Sequence, residues 1–332
     1  FSLDGQSMYF ADSWNNRVRM VNGGIITTVA GDGNQGFGGD GIPATSSSLG
    51  QAFGVTVLPT TGELVISDSG NHRIRVVASN GIISTIAGTG TRTGDGGALL
   101  GDDGPATSAT LYTPAGIVAN SNGEIFVADQ DNYRVRKIDV DGKITTIAGT
   151  GMNGATGNNG PATSAQIGGI GGLALNSVGD LFMADGINHC IRKVVNTTQI
   201  ITTVAGICGQ SNEGYLGDNV IATTTKLNAP SGVAVKSSGE IVIADTLNRR
   251  IRKVATNGII STIAGNGVAG FSGESGIAID AKLYDPTHAT VSGNGELIIT
   301  DYGNSKIRNV DRNGIIKAIA GNGLAGFGGD GG

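Results

Sequence analysis

An aspartate, an asparagine three residues later and an arginine four residues beyond that recur six times along this chain, which makes it a repeat architecture before anything else. The aspartates are Asp12, Asp68, Asp129, Asp185, Asp245 and Asp301. The asparagines are Asn15, Asn71, Asn132, Asn188, Asn248 and Asn304, and the arginines Arg19, Arg75, Arg136, Arg192, Arg252 and Arg308. Successive aspartates lie 56, 61, 56, 60 and 56 residues apart, so the unit is 56 residues long with two insertions, at Thr91 to Leu100 and Ile207 to Glu213. Units that bury their faces only against neighbours can build one body from all 332 residues.

Each unit has the same internal order. A short apolar run such as Gly232 to Val235 is followed by a glycine turn and a denser run, Ile241-Val242-Ile243, that ends in the aspartate. Continuous apolar residues without alternation indicate a strand covered on both faces. The Asp-x-x-Asn turn leads into Arg250 to Val254, an Asn-Gly or Asp-Gly hairpin signal follows (Asn80-Gly81, Asp141-Gly142, Asn257-Gly258), and the unit closes on a run like Ile259 to Ile263. Four antiparallel strands buried on both faces make a propeller blade. The expected fold is all-β, a six-bladed β-propeller with four antiparallel strands per blade, the blades spanning about 1–31, 52–88, 114–149, 170–206, 230–265 and 286–321.

The strand-turn-strand pattern of Ala244, Asp245, Asn248, Arg250, Ile251, Arg252 and Val254 resembles the NHL repeat, and six copies cover essentially the whole chain. The resemblance implies six repeats closed into a six-bladed propeller. The long connector between blades, Gly31 to Leu49 and its counterparts, departs from the shortest NHL units and looks like that of large extracellular or microbial NHL proteins. The tail 322–332 opens a further connector; it either completes the blade that starts at Phe1 or begins another propeller. With no initiator Met at position 1, the chain is expected to be part of a longer protein, so the lack of a targeting segment carries little weight.

The net charge of −5 and a pI near 5.2 disfavour nucleic acid as a partner, although some NHL domains bind RNA and Arg17, Arg73, Arg134 and Arg250 recur at one position. No apolar run approaches membrane-spanning length. The repeated Asp, Asn and Arg residues read as architectural, because one active site needs one residue in one place. The turn carboxylate and amide can accept backbone N–H groups, and the arginine can pair with the aspartate. Binding is expected where the repeats differ, on the face that carries the connectors and the Asp-x-x-Asn turns, at Trp14, Arg92, Tyr133 and Tyr302. Phe37, Tyr215, Phe271 and Phe327 share one connector position and are expected to pin their own loops.

Of three histidines, His72 and His189 share a variable turn position that suits a solvated surface, and His288 stands where most blades open the inner strand with glycine, a place at the channel mouth. One histidine is too few for a metal site, so no metal, cofactor or catalytic set is expected. Cys190 falls opposite about Ala205 in the antiparallel pair, a few residues from Cys208, which makes a disulfide geometrically accessible. With the sequon Asn196-Thr197-Thr198 as a glycosylation site, it points to an extracellular or cell-surface home. Gly39-Asp40-Gly41 and similar clusters lack the alternating carboxylates of a calcium loop. The rim strands carry one internal charge, Lys317, so they should be covered, shielded by glycans or used in assembly.

These features favour a non-enzymatic extracellular scaffold or protein-binding module, with protein or glycan partners that include further copies of the chain in an array or fibre. The alternatives are a propeller-type lyase or lactonase with its site at the central channel, and an RNA-binding NHL domain.

Overall fold

The structure, a computed structural model, describes residues 1–92 and 100–331. It is an all-β six-bladed propeller of the expected kind, and its chain falls into two compact units, Phe1–Met152 with Gly326–Gly332, and Asn153–Ala325.

The first unit holds blades 1 to 3. Blade 2 contains Val55–Val57, Leu64–Asp68, Arg73–Val77 and Ile82–Ala87 in antiparallel order, and blade 3 contains Pro114–Ala119, Ile125–Asp129, Arg134–Ile138 and Ile144–Ala148. Every residue of Leu64–Asp68 is buried, because this strand is covered on both faces. Val65, Ile74 and Ala87 pack with Leu111 of the connector and with Ile117, Val127 and Ile144 of the following sheet in one core. Each fully buried aliphatic of this kind contributes about 1.5–3 kcal/mol. Blade 1 has three strands, Ser7–Asp12, Arg17–Asn22 and Ile25–Ala30.

The second unit holds blades 4 to 6 on the same plan. Blade 4 is built from Ile170–Leu175, Leu181–Asp185, Cys190–Val194 and Ile201–Ala205. Blade 5 has Gly232–Val235, Ile241–Asp245, Arg250–Val254 and Ile259–Ala264, and blade 6 has Pro286–Val291, Leu297–Asp301, Lys306–Val310 and Ile315–Ala320. Ile191, Leu227, Ile243 and Ile260 share one core between blades 4 and 5, and Val242, Ile251, Leu283, Ile299 and Ile316 share the next.

Two features go beyond four strands per blade. In blades 2, 5 and 6 the incoming connector adds a fifth, two-residue strand to the outer edge: Ile42–Pro43, Val220–Ile221 and Gly276–Ile277. Blades 3 and 4 carry a single bridge there, Pro105 to Lys143 and Pro161 to Ile200. The connectors therefore cover the rim edges that were open candidates for glycan shielding or assembly. On blade 1 the Gly331 N–H donates to the Ile26 carbonyl, as the Gly41 N–H does to Ile83 in blade 2, so the tail lies on blade 1 as the first connector lies on blade 2.

The second feature is a register shift between the arginine-bearing strand and the strand that follows it, immediately before the repeated arginine in all six blades, at Arg19, Arg75, Arg136, Arg192, Arg252 and Arg308. A bulge bends the strand and re-aims a side chain. Here it accompanies the arginines that reach the connectors.

Candidate functional site

The repeated residues form a junction that nails each connector to the blade it enters. In blade 2 the Asp68 carboxylate accepts the Gly50 N–H at 2.6 Å, the Asn71 Nδ2 at 2.8 Å and the Arg75 Nη1 at 3.3 Å. The Asn71 amide also donates to the Gly36 carbonyl at 2.7 Å, and Arg75 Nη2 donates to the Gly39 carbonyl and to Asp40. Blade 5 repeats this with the Asn228 N–H, the Gly214 and Gly217 carbonyls and Asp218, and blade 6 with the Tyr284 N–H, the Gly270 and Ser272 carbonyls and Glu274. The asparagine thus donates rather than accepts, and the aspartate binds the N–H of the connector; Asp185 takes a backbone N–H of its own turn, that of Asn188, as well. Burial pushes the carboxyls of Asp68, Asp129, Asp185, Asp245 and Asp301 upward, Asp245 to about 6, against the downward pull of these donors. Asp12 and Asn15 also bond each other, and Arg19 holds Gly329 and Asp330 of the tail.

A second arginine flanks the junction. Arg73 donates to the Asn71 and Thr89 carbonyls, and the Phe37 ring lies 4.0 Å from its guanidinium and 4.8 Å from that of Arg75. Arg250 does the same with Asn248, Asn266 and Tyr215. Phe271 lies against Lys306 and Arg308, and Phe327 against Arg17 and Arg19. Glycine suits positions 90 and 267, since both hold a positive φ and a Cβ on either would push the guanidinium aside. Arg17, Arg73, Arg134 and Arg250 each donate to two main-chain carbonyls.

Blade 4 departs from the plan. Cys190 stands at the position of Arg250 and Cys208 at that of Gly267, and the two form a disulfide with Cα atoms 5.1 Å apart. Ala155 replaces the aromatic, Asn158 replaces the connector acid, and Asn158 Oδ1 accepts from Thr203 Oγ1. Asn196 is exposed on the hairpin turn, its Nδ2 donating to the Val178 carbonyl.

The turn positions correct one expectation. His72 and His189 are not simply solvated: His72 follows a 3₁₀ turn and His189 a hydrogen-bonded turn, both in the left-handed region, φ 54° and 57°, a conformation that histidine and asparagine tolerate. Their Nδ1 atoms accept the N–H of Thr113 and of Ala229 in the next blade, as Asn16 Oδ1 accepts that of Gln51. Burial, and then the Arg92 charge, hold the His72 pKa below the ordinary histidine value. The structure brings exposed Arg92 over the Tyr112 ring at 5.8 Å, with that ring edge-on to His72 at 5.5 Å. Tyr112 was not singled out by sequence; its signal is its place beside the aspartate-bound N–H. Trp14 is 71% exposed, Tyr133 half-buried in the left-handed turn position, and Tyr302, in the second unit, 45% exposed. Positions 93–99 of the first insertion lie outside the described residues.

The family described as Teneurin NHL domain matches residues 87–156 and 199–272, and the NHL repeat matches residues 49–77. The chain belongs to the NHL-repeat family. This NHL chain is 29% identical to human Teneurin-4 over 348 residues and 30% identical to mouse Teneurin-3 over 343, matches that cover 92% and 94% of it. It spans 12% of the length of each relative. Among solved structures, an auxiliary nutrient binding protein from Bacteroides thetaiotaomicron superposes with a TM-score of 0.65 at 14% identity, covering 95% of this chain and 67% of that one. Virginiamycin B lyase from Staphylococcus aureus superposes with a TM-score of 0.54 at 16% identity, covering 94% and 80%. Identities this low establish the shared propeller fold and nothing about chemistry.

His288 of the NHL propeller is solvent-exposed, yet protein surrounds it closely enough that desolvation lowers its pKa. A Cβ on Gly232 of the neighbouring inner strand would meet its Nδ1. Among the described residues no group of three His, Cys, Asp or Glu side chains gathers as a metal site would require.

Proposed function

We propose that this NHL propeller is a non-enzymatic, extracellular protein-binding module that meets its partner with the Asp-x-x-Asn turns of its second unit. The observation that carries the reading is the second position of the turns in blades 4 and 5, where large apolar side chains stand in solvent: Leu247 at 47% exposure and Ile187 at 38%. Tyr302 adds 45% at the first turn position of blade 6. Exposed aromatic and aliphatic groups on rigid turns are the composition of a binding face, and Trp and Tyr are its strongest anchors. In the first unit, Arg92 and Tyr112 supply a cation beside an aromatic at the edge of the insertion. The disulfide and the exposed sequon support the extracellular setting. Assembly through sheet edges loses its motive in blades 2, 5 and 6, where connector strands occupy the rim. RNA binding loses its paired arginines to the carbonyls of the connectors.

A photo-crosslinking residue placed at Ile187, at Leu247 and, as a control, at Val178, 66% exposed on the first-to-second-strand turn of blade 4, tests this in the extracellular fraction of the source. Capture of the same protein from positions 187 and 247 and not from 178 is the expected result. Equal capture at 178, or none at 187 and 247, overturns it.

A further inference from the structure

Arg192 is the repeated arginine that makes no ion pair among the described residues, although the buried Asp185 carboxylate of its own blade still acts on its charge. It is completely buried, like Arg75, Arg136, Arg252 and Arg308. Each of those four donates Nη1 to the aspartate of its own blade at 3.2–3.4 Å and Nη2 to a connector carboxylate at 2.7–3.0 Å. Arg192 makes neither ion pair among the described residues, and its single bond is a long one, Nη1 to the Gln166 carbonyl at 3.5 Å. Its Nε and Nη2 hydrogens, which share one edge of the guanidinium, have no partner among the described residues. In Arg136 both bond Asp102 Oδ1, at 3.2 and 2.7 Å, whereas in Arg19, Arg75, Arg252 and Arg308 Nε is likewise without a partner among the described residues, so Nη2 is the atom that sets Arg192 apart.

The loss has a cause in sequence. The connector position that holds Asp40, Asp102 and Asp218 in blades 2, 3 and 5 is the uncharged Asn158 here, while Asp185 accepts from the Gly168 N–H and Asn188 much as Asp129 accepts from the Tyr112 N–H and Asn132. The aromatic that lies 4.7–4.8 Å from the guanidinium in blades 1, 2, 5 and 6 is Ala155 here, which removes a ring's volume beside the same side chain. A buried guanidinium with no ion pair and with N–H groups left unbonded is costly to a fold. We infer that the Nε/Nη2 edge of Arg192 holds a small monovalent anion, which supplies in blade 4 the negative charge that Asp40, Asp102 and Asp218 supply in blades 2, 3 and 5. Arg192 is wholly out of contact with solvent, which suits a bare halide ion and excludes a nucleotide or a peptide side chain.

The test uses chloride and bromide as probes on the whole chain. Thermal unfolding is followed from 1 to 100 mM chloride, with ionic strength held constant by isethionate, an anion too large for the site. A rise in Tm of about 2–4 °C is expected for the parent. Asn158→Asp should raise Tm in the absence of chloride and flatten the chloride response. Crystals grown in bromide should show anomalous density at hydrogen-bond distance from Arg192 Nη2 in the parent and none in N158D. Water at that position in bromide crystals, or a chloride response equal in parent and N158D, overturns the inference.

Discussion

Blades 4 and 5 lie in the same compact unit, share the same strands and solve the same problem with different chemistry. Both must fasten the chain leaving the fourth strand to the start of the third. Blade 5 does it with Arg250, whose guanidinium grips the Asn248 and Asn266 carbonyls, lies where a Cβ at position 267 would go and carries Tyr215 at 4.1 Å. Blade 4 does it with the Cys190–Cys208 bond at the same two positions, and there the aromatic and the connector acid are absent too. The difference shows that the conserved-looking charges are fasteners. Where a covalent strap holds the junction, the polar strap and its accessories are not needed, and Arg192 remains without an ion pair among the described residues.

The largest effect that can break this comparison comes from the inner arginines. Arg252→Met leaves Asp245 buried and loses Gly217 and Asp218, and should cost about 3–5 kcal/mol in chemical unfolding, whereas Arg192→Met breaks no ion pair and should cost less than about 1 kcal/mol. Equal costs would mean the two junctions are energetically alike. Removing the disulfide as Cys190→Ser with Cys208→Ser opens a loop of 18 residues and should cost about 3 kcal/mol, measured against the oxidised parent. Gly267→Ala forces a Cβ into Arg250 at φ +87° and should cost about 1–3 kcal/mol in the same assay.

The smallest effect is a pH dependence. His72 in the folded chain has a pKa below its unfolded value, so the folded state prefers the neutral ring that accepts from Thr113. Its contribution is complete above the unfolded histidine value and drains away as pH falls from there through the folded one. The urea midpoint of the parent should therefore fall between pH 7 and 5 by more than that of His72→Asn, which keeps an acceptor and the left-handed turn without titrating, as Asn16 does in blade 1.

Much of this was legible in the chain itself. The Asp-x-x-Asn-x-x-x-Arg register placed the strands, because a residue needed by every blade repeats at the blade period, and opposed strand ends brought Cys190 near Cys208. The connector strands were not legible: Ile42–Pro43 is two residues long, too short for any periodicity, and its partner lies forty residues on at Ile82 and Ile83. The roles of His72 and His189 were hidden because a variable position reads as surface, although what varies there is which side chain tolerates a positive φ. The signal for Arg192 was present in Asn158 standing where Asp40, Asp102 and Asp218 stand, but it acquires meaning only when those acids are seen on their arginines.

The claim that the two straps are interchangeable is tested most directly by exchanging one for the other. Cys190→Arg with Cys208→Gly rebuilds in blade 4 the pair found at Arg250 and Gly267, and its unfolding free energy should be compared with that of the parent, both in reductant. The account predicts that the double variant is more stable than the reduced parent by about 1 kcal/mol, the contribution of a charged hydrogen bond to a carbonyl, and that neither single variant shows the gain. A double variant no more stable than the reduced parent, or a gain already present in Cys208→Gly alone, would contradict it.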